Sequence, residues 1–419
     1  MSIKFRLILM NFMQFFIWGS WLITIGAYWF QNKQWSGAQF GAVFSTMGIS
    51  AIFMPALAGI IADKYINAEK LYGIMHILGA CTLFTLPLVN NPSAFFWVIL
   101  LNMVFYMPTL SLSITVAYSA LKRENIDVIK EYPPIRIWGT IGFIAALVTV
   151  SLSHNETSAN QFYIASAVAL ALGVYAFSLP KCPPLLHRSD NKSLVNLLGL
   201  NAFVLFKTPK FAVFFAFSML LGAALQLTNA YGDTFIHDFK NVAAYQNLLA
   251  VRYPAIIMSI SQVSETLFIL AIPFFMHRFG IKYVMLISMV AWAFRFGLFA
   301  FGNPDEGLWM IILSCIIYGM AFDFFNISGS LFIETQISPE IRGSAQGLFM
   351  MMVNGFGAFF GSIISGLIID KYFTMPDHSK DWHGIWLSFA GYALVIAIIF
   401  PFVFRNKYSA VVKHVSSNV

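Results

Sequence analysis

Charge is what this chain has least of. Only 10% of its 419 residues are Asp, Glu, Lys or Arg, against about 25% in a soluble domain. With 59% hydrophobic residues and a mean hydropathy of +0.74, that scarcity excludes a soluble globular protein and points to a polytopic membrane protein. Cysteine is nearly absent as well. Cys81 and Cys315 fall in apolar runs and Cys182 in a basic loop, so no disulfide framework is expected. Catalytic signatures are missing: there is no HExxH, Walker loop, GxSxG elbow or metal-spaced Cys/His set, and the eight His are scattered. An enzyme, an ATP-driven pump, a bound cofactor and a metal site are therefore not expected.

What is abundant is apolar sequence in lengths that fit a bilayer. About 20 such residues make one crossing. The spans expected are 6–30, 39–62, 70–90, 94–118, 134–153, 161–179, 211–232, 254–277, 282–301, 308–331, 344–369 and 383–405. Lys4 and Arg6 precede a run too long for a signal-peptide core and lacking a small-residue cleavage site, so it reads as the first membrane helix. The 17% aromatic content suits lipid-facing surfaces and interfacial belts.

The net charge of +7 would suggest a nucleic-acid partner only if its placement were ignored. With the N-terminus cytoplasmic, Lys33, Lys240, Arg252, Lys371 and Lys380 fall outside, and Arg136 and Arg295 within or near spans; the remaining Lys and Arg fall on the cytoplasmic side. The positive-inside rule supports that count and orientation.

The expected organisation is all-α. A six-helix bundle spans 1–180, a basic linker 181–210, a second six-helix bundle 211–405 and a cytoplasmic tail 406–419. Within the linker, Leu194 to Phe206 could lie along the membrane surface as a short helix. Short charged turns follow span 2 (Asp63, Lys64) and span 8 (His277, Arg278), so the halves echo each other.

Three polar pairs stand out inside the apolar runs: Gln226/Asn229, Gln262/Glu265 and Asp323/Asn326. Each is spaced i, i+3, which puts both side chains on one helix face. A charged group at mid-bilayer costs about 2.5–3.5 kcal/mol on insertion scales, so repeated pairs argue for a polar cavity that uses them. Glu265 and Asp323 can take up and release a proton or balance an Arg; the alternative for each is a permanent strut to a neighbouring helix. Gln226 and Asn229 suit a neutral, hydroxyl- or amide-bearing ligand, or else bond between helices.

Arg136 and Thr140 share a face at i, i+4, and Phe143 follows at i+3 from Thr140; Pro133 and Pro134 are read as opening their helix. Arg136 either faces a cavity or snorkels to the surface. Arg295 is read as a structural ion pair or interfacial residue. Tyr318 and Phe322, at i, i+4, could stack a planar ring or be ordinary core. Gly357 and Gly361 form a GxxxG expected to pack closely.

Several of these segments carry a resemblance. They are Phe16-Ile-Trp-Gly-Ser-Trp, Met54-Pro-Ala-Leu-Ala-Gly-Ile-Ile-Ala-Asp-Lys, Pro133-Pro-Ile-Arg-Ile-Trp-Gly-Thr-Ile-Gly-Phe-Ile, residues 258–270 around Gln262 and Glu265, residues 321–330 around Asp323, and Ser344-Ala-Gln-Gly. The chain resembles, nearly end to end, the nucleoside:proton symporter family of the major facilitator superfamily. It keeps the loop signature Gly-x-x-x-Asp-[Arg/Lys] at Gly59–Lys64 but not the basic tail that usually follows.

The resemblance implies twelve transmembrane helices and proton-coupled nucleoside uptake by alternating access, as a monomer in the inner membrane, with nucleosides, protons and lipid as its partners. It further implies a nucleoside site between the halves. Arg136, Thr140 and Phe143 would contribute from the first half, and Gln226, Asn229, Gln262, Glu265, Tyr318 and Phe322 from the second, with Asp323 as the proton-coupling residue. The residues themselves leave open a sugar:proton symporter of the same fold, or a non-transporting receptor.

Overall fold

The computed structural model describes residues 2–184 and 200–404. Among them the protein is helical throughout, apart from an isolated bridge between Thr374 and Lys380. The first rods are α1 (Ile3–Gly19), α2 (Gly37–Lys64), α3 (Ala68–Thr85), α4 (Pro92–Arg123), α5 (Val128–Leu152) and α6 (Asn160–Ala176). After the linker come α7 (Pro209–Asp238) and a continuous element, Pro254–Phe301. Gly280 breaks that element at φ 75° into α8 (254–279) and α9 (281–301). Glycine reaches that backbone region without steric cost, so the charged turn expected after 277 is a hinge between two rods. Then follow α10 (Leu308–Gln336), α11 and α12 (Trp382–Val403); α11 runs through Pro339–Met350, Met351–Gly357, Ala358–Ile368 and Ile369–Phe373, the second and fourth pieces π-wound. Nine helices among the described residues are long and apolar enough to cross a membrane.

Local chemistry sets several helix starts. Asn91 accepts from the backbone N–H groups of Ser93 and Ala94 at 2.8 and 3.2 Å, and Asp381 from Gly384 at 3.0 Å. Such caps satisfy donors that a helix leaves orphaned.

Three expectations change. Pro133 and Pro134 do not open α5; it begins at Val128 and holds both inside. The first run is no single α-helix: it breaks after Gly19 and resumes as Ile25–Ala27 and a π-wound Tyr28–Asn32. Of the surface helix expected at 194–206, residues 194–199 lie outside the described residues, and 200–206 belong to a 3₁₀ helix, Leu200–Lys207.

In the first half of the chain α1 packs on α5, α2 on α4, and α3 on α4 and α6. A buried polar knot ties α1, α3 and α4. Gln14 donates to Thr109 Oγ1 at 2.8 Å and accepts from the Tyr72 hydroxyl at 2.6 Å, with His76 Nε2 at 2.8 Å from the same oxygen. A buried polar atom that finds such a partner avoids the cost of standing alone where water cannot reach it. In the second half the α8–α9 element packs on α10 and α12, and α7 packs on α11.

The halves meet where α2 crosses α11 and where α5 meets the α8–α9 element. Glycines make α11 approachable from two sides. A Cβ on Gly361 would lie 2.6 Å from Ala223 Cα on α7, and one on Gly366 would lie 2.9 Å from Gly41 Cα on α2. The GxxxG at 357–361 is thus a close-packing surface toward α7, as expected.

Candidate functional site

The seam between α5 and α8 brings sequence-distant polar groups together. Arg136, half-buried on α5, holds its guanidinium 4.0 Å from the centre of the Phe15 ring. It is the basic group within electrostatic reach of Glu265 on α8. Glu265 in turn lies within reach of Tyr318 and Asp323 on α10. Gln262, one turn before Glu265, sets its amide against the Tyr318 hydroxyl. Tyr318 and Phe322 have ring centres 5.7 Å apart and planes only 8° from parallel. The i, i+4 spacing makes the two rings a paired aromatic surface.

Asp323 is 4% exposed, and its Oδ2 has no hydrogen-bond partner. Such an orphan in an apolar surround is costly; protonation removes the charge. The nearest acidic neighbour that acts on it is Glu265, so the two carboxyls repel when both are ionised.

Thr140 and Phe143 continue up the same stretch of α5, Thr140 half-buried and Phe143 7% exposed. The Phe143 backbone is pressed against Gly19 of α1. Gln226 and Asn229 sit on α7; Gln226 is 3% exposed and its Oε1 has no hydrogen-bond partner. Arg136, Gln262, Glu265, Tyr318, Phe322 and Asp323 thus lie along one seam, with the Tyr318 and Phe322 rings in contact and the charged groups within electrostatic reach rather than ion-paired. Thr140, Phe143, Gln226 and Asn229 flank them on the adjoining helices. Asn326 donates to the Phe322 carbonyl at 3.0 Å, a bond within its own helix that agrees with a packing role.

Arg295 corrects its expectation. It is fully buried, so it is not interfacial, and no carboxylate forms an ion pair with it among the described residues. Instead it donates to the Ser314 carbonyl at 2.5 Å and contacts Thr228 Oγ1 at 3.4 Å, tying α9 to α10 and α7. Its guanidinium lies 4.8 Å from the centre of the Tyr318 ring. A charge on one side of Tyr318 and an amide on the other fix that ring's orientation. Sequence reasoning found no second polar residue on the Arg295 face because its partners, the Thr228 hydroxyl, the Ser314 carbonyl and the Tyr318 ring, stand on other helices.

A second polar cluster went unforeseen. At the face opposite the N-terminus, Glu156 from the α5–α6 loop meets Asp233 and His237 of α7. No spacing in the sequence could join residues 77 or more positions apart. Other bonds cross between the halves on that face. Asp370 accepts from the backbone N–H groups of Gly37 and Ala38 at 2.6 and 2.7 Å, capping α2 from α11, and Gln31 donates to Asp238 at 3.3 Å.

Comparison with known proteins identifies the chain's relatives. The sequence model of the family described as "Nucleoside H+ symporter" matches residues 1–409. The chain is 52% identical to the xanthosine permease of Escherichia coli (strain K12), with 97% of each chain covered. It is 50% identical to the nucleoside permease NupG of the same organism, again over 97% of each. A crystal structure of nucleoside transporter NupG (D323A mutant) superposes with a TM-score of 0.93 at 50% identity, covering 96% of this chain and 100% of that one. A POT family transporter shares the fold at a TM-score of 0.70 and 13% identity.

Proposed function

The chain belongs to the nucleoside H+ symporter family, and from that premise we propose that it carries nucleosides across the inner membrane together with protons, by alternating access. The reading takes α8 and α9 as separate crossings and counts the composite first rod and α6 as one each. That makes twelve crossings, in two six-helix bundles on either side of the linker, with both termini cytoplasmic and the protein working as a monomer.

The observation that carries the site is the parallel Tyr318–Phe322 pair with Gln262 and Glu265 beside it and Arg136 across the seam. A nucleobase offers a flat apolar face and a polar edge. Stacking on aromatic rings contributes about 0.5–1.5 kcal/mol beyond burial, and amides and carboxylates read hydroxyls and base edges. Thr140, Phe143, Gln226 and Asn229 complete the enclosure from α5 and α7.

Asp323 is the proton carrier in this reading. Its carboxyl, buried and with one oxygen lacking a hydrogen-bond partner, is the group placed to take up the proton before the loaded protein reorients. One proton moving down about 100 mV supplies about 2.3 kcal/mol, and one pH unit adds about 1.36 kcal/mol. Together they support a nucleoside gradient of several hundredfold, since about 1.4 kcal/mol is tenfold. The bonds across the face opposite the N-terminus tie the halves together there, which supports reading this arrangement as closed on that face.

Uptake of a labelled nucleoside panel into proteoliposomes, with and without a proton ionophore, tests this reading. Accumulation should collapse with the ionophore and be competed by nucleosides but not by disaccharides. Competition by disaccharides alone would make the protein a sugar symporter of the same fold.

A further inference from the structure

We propose that Glu156, Asp233 and His237 form a binding site for a divalent transition-metal ion of the zinc class, shared between the two halves of the chain. Each residue offers one ligand atom, and these atoms lie within 4.8 Å of one another. All three side chains are buried, Asp233 completely. His237 Nε2 stands 2.5 Å from Glu156 Oε2 and 3.7 Å from Asp233 Oδ2. Ligands held at Zn–N and Zn–O distances of about 2.0–2.2 Å in a tetrahedron lie about 3.3 Å apart. The two separations from His237 bracket that value, and the third, between Glu156 and Asp233, falls within 4.8 Å, so small side-chain shifts complete the set.

A hydrogen-bonded cluster alone does not account for these atoms. Both Asp233 oxygens and His237 Nδ1 lack a hydrogen-bond partner, and His237 Nε2 has only its short charge contact with Glu156 Oε2. A fully buried carboxylate without a partner is costly. Two carboxylates and a neutral imidazole carry two negative charges, which one divalent cation neutralises. Imidazole nitrogen with carboxylate oxygen is a donor set that suits Zn²⁺ and its neighbours.

The remaining oxygen of Glu156 is already fixed, accepting from the Ala255 backbone N–H at 3.2 Å at the start of α8. That bond orients Glu156, as supporting bonds do at metal sites. A cavity of about 290 Å³, lined by His154, Glu156, His237 and Arg252 among others, lies beside the set and offers the ion a route in.

Glu156 belongs to the first half and Asp233 and His237 to the second, so the set is whole only while the face opposite the N-terminus is closed. A ligand that binds one state alone stabilises that state. Bound metal therefore clamps the face and slows turnover. The site is a point of inhibition, separate from the Tyr318 region.

Tag-free full-length protein titrated with ZnCl₂ tests the proposal. Saturating Zn²⁺ should raise the thermal midpoint by at least about 2 °C, and Co²⁺ should give visible absorption bands that Zn²⁺ displaces. Glu156→Gln and His237→Gln should each weaken binding at least about 10–100-fold, the loss that changes in supporting residues alone produce, while His154→Gln should leave it unchanged. In proteoliposomes Zn²⁺ should slow wild-type uptake and leave Glu156→Gln unaffected. Retention of a nucleoside-induced thermal shift checks that each variant is folded, and Asp233→Asn provides a third test should one fail. Absence of a wild-type Zn²⁺ shift and Co²⁺ spectrum overturns the proposal, as does equal Zn²⁺ affinity in Glu156→Gln and His237→Gln. A change in transport in these variants with no metal response would make the cluster a latch without metal.

Discussion

Two polar clusters straddle the same seam, and they differ in what surrounds them. The central one sets Arg136 of the first half against Glu265, Tyr318 and Asp323 of the second. The outer one sets Glu156 of the first half against Asp233 and His237 of the second. In the outer cluster the groups touch one another directly, and a backbone N–H holds Glu156 in place. In the central one the charges sit around a pair of parallel rings, and Arg136 and Glu265 remain half-buried. Direct contact suits a closure that forms and breaks; spacing around an aromatic surface suits a ligand. In the reading proposed above, similar charges on one seam serve different ends according to how they are spaced.

The comparison can be broken most decisively at Asp323. Asp323→Ala should retain nucleoside binding measured by calorimetry yet lose ionophore-sensitive accumulation by at least about tenfold. Full accumulation by this variant would remove Asp323 from proton coupling. Arg136→Ala should come next. Losing a hydrogen bond from a charged group costs about 1.5–3 kcal/mol, so nucleoside affinity should fall about tenfold or more. Combining it with Glu265→Gln should cost less than the sum of the two, and strict additivity would show that the two residues act apart.

A smaller effect is expected from Phe322→Ala. Loss of the stacked partner should weaken binding about three- to tenfold and leave proton coupling intact; an unchanged affinity would return Phe322 to the core. The mildest is Asp370→Asn, on the outer face, which weakens the cap on α2 by about 0.5–2 kcal/mol at most. It should shift the protein toward opening on that face, read as faster labelling of a cysteine placed there, without altering nucleoside binding to the central site. Altered binding with unaltered labelling would merge the two regions into one.

Much of the fold was legible because a membrane imposes simple rules. Apolar length marks rods, as at α2 and α10, and basic residues mark one face. Costly polar residues marked the central seam, since Gln262, Glu265 and Asp323 have no reason to be cheap in lipid. Arg295 was misread because its partners, the Thr228 hydroxyl, the Ser314 carbonyl and the Tyr318 ring, stand on other helices. Pro133 and Pro134 were read as a helix start by local preference, yet α5 begins at Val128. Thr140 and Asn229 were singled out by helical spacing and assigned to a nucleoside site through the resemblance, and only binding measurements bear on that role.

By itself the sequence determined that this is an all-helical membrane protein of the nucleoside H+ symporter family, and which polar groups bear the cost of burial. Those properties are local or additive along the chain: hydropathy, charge bias and i, i+3 spacing. The tertiary structure alone decided which groups meet. It brought Arg136 toward Glu265, laid Arg295 beneath Tyr318, capped α2 with Asp370 from α11, and joined Glu156 to His237. Electrostatic and coordination chemistry depend on distances of a few ångströms, and those are set by packing between helices far apart in the chain.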